Sequence, residues 1–173
     1  LNQIIQKARD ENKIPLGKHV IYANTPSYVG SHVTGYANMV KGMVNYFSES
    51  GGPKTDFVNL IAGWVEPSDM REIKRISKLM KAKTIMFPDT SEVLNGPLDG
   101  KFHMFPKGGA KVEDIESSGD SQFTIGLGRT ASLSAATLLD TKCKVPCEVL
   151  ELPIGLRATD AFIDSLRKAA GVH

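Results

Sequence analysis

Cysteine is scarce in this chain. Cys143 and Cys147 are its two cysteines, too few for a disulfide-stapled scaffold. Their four-residue offset fits neither a CxxC redox pair nor half of a zinc ribbon. Compartment logic favours two reduced thiols flanking a turn in a cytoplasmic protein over a redox or metal pair. Net charge is also small: 21 Lys and Arg against 19 Asp and Glu leave +2, and no Lys/Arg block forms a basic arm. The balance therefore does not point to phosphate-driven nucleic-acid binding. No apolar run approaches the ~20 residues of a membrane-spanning helix, and no charged-then-apolar leader marks a signal peptide. GxxxxGK(S/T), GxSxG and HExxH are all missing. The four histidines, His19, His32, His103 and His173, are scattered, and none pairs with another at ligand spacing.

What is present is a rhythm. With 173 residues the chain is one domain, or at most two small ones, and can bury a core. It opens at Leu1 without an initiator Met, already inside a helical pattern, and reads as a piece of a longer polypeptide. Residues 2–13 form a polar amphipathic helical pattern closed by Pro15 and Gly17. Residues 1–17 are therefore expected to belong to, or link from, a preceding domain, with 18–173 as the α/β domain of the longer chain.

Within that domain the apolar period alternates between 2 and 3.6. Strands are predicted over 18–23, 57–62, 83–87, 123–127 and 147–152. Helices are predicted over 35–49, from near Pro67, over 130–140 and over 159–170, with Thr159 or Asp160 near the last start. Asp89 and Glu92 have capping-box spacing for a short helical turn, residues 111–117 suit a short helix, and 101–105 suits a short edge strand. The predicted fold is α/β: a Rossmann-like, mostly parallel sheet of about five strands with helices on both faces. In such a sheet, function gathers at the carboxyl ends of the strands.

Two loops at those ends invite chemistry. Gly126-Leu127-Gly128, with Ala131 and Glu151 beyond, admits a dinucleotide reading. However, the unit sits late in the sheet and Arg129 occupies the turn, so a cofactor-free tight turn is favoured. The second loop, Thr25 to Tyr36 (TPSYVGSHVTGY), packs two glycines, a proline, several hydroxyls and one imidazole into twelve residues. A plain connector rarely needs so much polar and backbone-permissive chemistry. On residue type alone Ser27 is a turn serine and His32 a hydrogen-bonded loop imidazole.

The run from Asn24 to Tyr36 resembles the β chain of nitrogenase component 1, the molybdenum–iron protein and its alternative-metal relatives. Asp69 to Lys74 (DMREIK), Phe87 to Ser91 (FPDTS), Lys142 to Cys147 (KCKVPC) and Leu152 to Asp160 (LPIGLRATD) are similar to that family in the same order. The likeness covers nearly the whole chain, and the molybdenum type is preferred over the vanadium or iron-only types.

The resemblance implies the middle of three α/β domains in a β subunit that pairs with an α subunit as a heterotetramer of two α and two β subunits, served by the nitrogenase iron protein. It implies an iron–sulfur P-cluster (8Fe-7S) shared with the α chain and held mostly by cysteines from elsewhere. Matched by position, Ser27 is the serine that ligates an iron when that cluster is oxidised, and Tyr28, Ser31 and His32 surround it as an outer shell. The catalytic cofactor of N₂ reduction belongs to the α chain. No catalytic residue is thus expected in this chain, and the isolated piece is expected to be inactive and to bind no cluster. Two rivals remain: a cofactor-assembly scaffold of the same superfamily, and a small nucleotide-binding α/β oxidoreductase domain.

Overall fold

Four parallel strands form the centre of the structure, a computed structural model that describes residues 1–104 and 106–172. They are β1 (Val58–Ile61), β2 (Thr84–Met86), β3 (Phe123–Leu127) and β4 (Cys147–Leu150), in the spatial order β2-β1-β3-β4. The register places Leu60 beside Met86 on one side and beside Ile125 on the other. All four residues of β1 are buried, so its sequence is a near-continuous apolar run, as a strand covered on both faces requires. Its polar member, Asn59, is fully satisfied: Nδ2 donates to the Ser118 carbonyl (2.9 Å) and to Thr124 Oγ1 (3.2 Å), and Oδ1 accepts from Ser121 Oγ (2.8 Å).

Among the described residues six α-helices and a 3-10 turn (Ser118–Asp120) surround the sheet, the helices being α1 (Asn2–Asp10), α2 (His32–Phe47), α3 (Pro67–Leu79), α4 (Val112–Ser117), α5 (Arg129–Cys143) and α6 (Gly155–Ala170). One face of the sheet buries Val40 and Val44 of α2, Ile115 of α4 and Ala135, Ala136 and Leu139 of α5 against Ile61 and Ile85. The other face buries Met70 and Ile73 of α3 and Phe162 and Leu166 of α6 against Leu60, Ile125 and Leu127. The α3 crossover leads outward from β1 to β2, while the α5 crossover leads the opposite way from β3 to β4. Right-handed connections running in opposite directions must lie on opposite faces, as these do.

The expected strand at 18–23 does not form, so the sheet has four strands rather than about five. The segment is extended but unpaired and runs alongside α2. His19 packs its ring on Phe47 (5.0 Å between centroids), and Asn38 Nδ2 donates to the Asn24 carbonyl (3.0 Å). A Cβ on Gly42 would lie 3.1 Å from the Ala23 Cβ, so the glycine sets how closely the segment approaches. A short apolar run laid against a helix reads in sequence like one buried in a sheet.

Other boundaries shift locally. Asp89 and Glu92 form no capping box and no helix. Asp89 Oδ1 instead accepts from Ser91 N (2.9 Å) and Ser91 Oγ (2.6 Å), an Asx turn, and Glu92 pairs with Arg71 (3.5 Å). The helix α6 begins four residues before Thr159, whose hydroxyl donates to the Pro153 carbonyl (3.1 Å) rather than capping. Lys101–Met104 are not in a strand. Phe105, the last residue of that expected edge strand, and His173, of the four histidines, lie outside the described residues.

Candidate functional site

Although 18–23 is not a strand, the Thr25–Tyr36 segment still lies at the carboxyl edge of the sheet, because α2 starts there, three residues earlier than expected, with His32–Tyr36 as its first turn beside the end of β1. Several constraints fix its shape. Gly30 has φ +79°, and a Cβ there would meet Thr34 Oγ1 at 2.7 Å. Thr34 Oγ1 accepts from the backbone N–H of Ser31 (3.3 Å), at the N-cap of α2. Tyr28 sits at φ +63° with its ring fully exposed, a left-handed conformation uncommon for a residue with a side chain. The loop encloses a hollow of about 250 Å³ lined by Thr25, Pro26, Tyr28, Gly30 and His32.

The four sequence-selected residues Ser27, Tyr28, Ser31 and His32 are all exposed. Ser27 stands at the tip and does not line the hollow, and its hydroxyl has no hydrogen-bond partner among the described residues. The structure brings Tyr28, Ser31 and His32 around one hollow and leaves Ser27, exposed, outside its lining.

Sequence reasoning gave no role to Trp64, which follows β1 across Gly63. Its indole lies 5.2 Å from the His32 ring and 5.0 Å from the Tyr36 ring, the latter at 88°, edge to face. The Tyr36 hydroxyl donates to the Gly63 carbonyl, and burial pushes its pKa up to about 12, so it remains a donor at any ordinary pH. The one available signal was positional: the sole tryptophan of the chain immediately follows a strand-ending glycine.

The second candidate loop is explained by packing. A Cβ on Gly126 would meet Ser132 Oγ at 2.8 Å, so this glycine lets α5 approach β3. Gly128 turns the chain at φ +72°, and its carbonyl accepts from Ser132 Oγ (3.0 Å). Arg129 and Glu151 are exposed. Both glycines therefore have structural reasons that need no dinucleotide.

Cys143 and Cys147 lie at the amino edge, opposite the loop. α5 starts at the carboxyl edge with Arg129 and ends with Cys143, and fifteen helical residues extend about 22 Å. Burial raises the pKa of both thiols, which keeps them protonated and poorly reactive. No group of three or more His, Cys, Asp or Glu able to hold a metal ion comes together among the described residues. What the loop offers an iron–sulfur group is thus one free hydroxyl oxygen with polar neighbours, and any other ligands would come from outside these residues.

Residues 1–173 match the family described as Nitrogenase component 1 type Oxidoreductase. The chain is 54% identical over 167 residues to the nitrogenase molybdenum-iron protein beta chain of Clostridium pasteurianum, covering 96% of this chain and 36% of that one. It is 33% identical over 153 residues to the nitrogenase iron-iron protein beta chain of Rhodobacter capsulatus, covering 88% and 33% respectively. The solved structure of nitrogenase Cp1 at pH 6.5 superposes with a TM-score of 0.97 at 52% identity, over 99% of this chain and 38% of that one. The chain thus spans about a third of the length of the relatives it matches.

Proposed function

Because this chain belongs to the nitrogenase component 1 type oxidoreductase family, we propose that it works as part of a nitrogenase β subunit, walling an iron–sulfur P-cluster at the interface with an α subunit. The subunit would stand in a heterotetramer of two α and two β subunits that receives electrons from the iron protein and reduces N₂ to ammonia. Residues 1–17 are read as the link from a preceding domain, which fits a helix α1 that buries none of its residues. One observation carries the reading: the Thr25–Tyr36 loop stands open at the carboxyl edge, with the Ser27 hydroxyl unengaged among the described residues. A serine kept only for its turn would more often spend that hydroxyl on nearby backbone.

When bound, the cluster supplies electron storage and transfer. Ser27 would hold the cluster through a hard oxygen, and giving up its hydroxyl proton there would limit the change in buried charge. An oxygen ligand of this kind suits the oxidised state, in which the irons are harder and more positive. Tyr28, Ser31 and His32 lie close enough in the loop to orient it and offer hydrogen bonds.

The test is Ser27→Gly in the full-length β chain assembled with its α partner. The paramagnetic spectrum of the oxidised cluster should change while that of the reduced cluster stays the same. Identical oxidised spectra would remove Ser27 from the ligand set.

A further inference from the structure

We propose that Trp64 is the positioning residue of this loop: its indole, anchored at the end of β1, fixes the first turn of α2 and so the direction in which Ser27 is presented. The inference rests on the reading of Ser27 as a conditional ligand.

From Ala37 onward α2 is held by the core, where Ala37, Val40, Val44 and Phe47 are buried. In its first turn, residues 32–36, His32 is exposed and the other four are partly buried, Tyr36 alone of them packing against the rim of that core. His32 and Tyr36 are four residues apart, so their rings stand one above the other on a single face. The Trp64 indole contacts both and spans that turn. Trp64 starts from a fixed reference: Gly63 has φ +76°, and a Cβ there would lie 2.3 Å from the Leu127 carbonyl oxygen, so its backbone is gripped between β1 and β3. The Tyr36–Gly63 hydrogen bond closes the same bracket. Beyond His32 the geometry passes through the Ser31–Thr34 contact and the Gly30 turn to the tip. The indole is itself half in solvent, at 51% exposure. It therefore adds little to the core, and its aromatic partners, His32 and Tyr36, are both on α2.

The experiment uses the full-length β chain assembled with its α partner, comparing Trp64→Ala, Trp64→Leu and Trp64→Phe with Ser27→Gly. Trp64→Ala should leave iron content and the reduced spectrum unchanged, alter the oxidised spectrum, and speed hydrogen exchange of the hydrogen-bonded amides of Ser31, Thr34 and Gly35 by about tenfold. Trp64→Phe, which retains an aromatic edge, should restore both readouts, and Trp64→Leu should not. If Ser27→Gly alters the oxidised spectrum while Trp64→Ala and Trp64→Leu match the parent in spectrum and exchange, the positioning role is wrong and the ligand reading stands. If Ser27→Gly is silent the ligand reading fails, and unchanged exchange in Trp64→Leu then overturns the seat as well. If Trp64→Ala assembles poorly, Trp64→Leu decides: behaviour like the parent overturns the proposal, and fast exchange with an altered oxidised spectrum upholds it.

Discussion

The Tyr36 hydroxyl donates a 2.8 Å hydrogen bond to the carbonyl of Gly63, tying the start of α2 to the end of the central strand. Burial favours the neutral phenol, so the folded chain resists ionisation up to about pH 12, whereas the unfolded chain ionises near pH 10. The resulting stabilisation is complete below pH 10 and is lost as pH rises from 10 to 12. In an ultraviolet titration of the four tyrosines, one tyrosinate should form only near pH 12, and Tyr36→Phe should remove that step. A fully folded protein whose tyrosines all ionise together near pH 10 would contradict the buried bond.

Gly63→Ala adds a Cβ 2.3 Å from the Leu127 carbonyl oxygen and places it at a positive φ. Neither strain can relax without parting β1 from β3, so a loss of about 2–4 kcal/mol is expected, read from urea unfolding. The emission of Trp64, the only tryptophan, should shift as well, because its ring follows the altered turn.

How far the sequence foretold these relationships depended on range. The helices α2 and α3 were legible because Met39, Val40, Met43 and Val44, and then Met70, Ile73 and Ile76, recur at helical spacing within one window. The strands β1 to β4 fell within two residues of their expected limits. The segment at 18–23 has the apolar run of a buried strand, but its partner, α2 at Gly42, is a tertiary fact that no local window contains. The Thr25–Tyr36 loop was recognisable from its glycine, proline and hydroxyl density together with the family resemblance. Trp64 was not, because what gives it significance is contact with His32 and Tyr36, brought to it by the sheet.

Lys74 Nζ donates to Asp89 Oδ2 at 2.8 Å and also meets Ser91 Oγ. The Asp89 side chain is only 7% exposed, so Lys74→Met strands a nearly buried carboxylate. The loss should be about 1–3 kcal/mol, measured by denaturant unfolding. Arg75→Met, which breaks an exposed pair with Glu72, should produce no measurable change.

Thiol alkylation provides a further check. Cys143 is buried at 1% exposure and donates to the Ser48 carbonyl at 3.6 Å, while burial also raises the Cys147 thiol. In the native chain Cys143 should be the slower of the two to alkylate at neutral pH, and unfolding should bring both to similar rates, as read by peptide mass. Prompt native labelling of Cys143 would place it outside the core.

The run of α5 from one rim of the sheet to the other separates sulfur from the presented hydroxyl by the depth of the domain. Oxidative damage or a reporter dye introduced at the far rim would have to propagate through Leu139, Ala136 and Ala135 before disturbing the business end. A change at the partly buried Cys147 would therefore report on the far rim of this domain and leave the loop as it was.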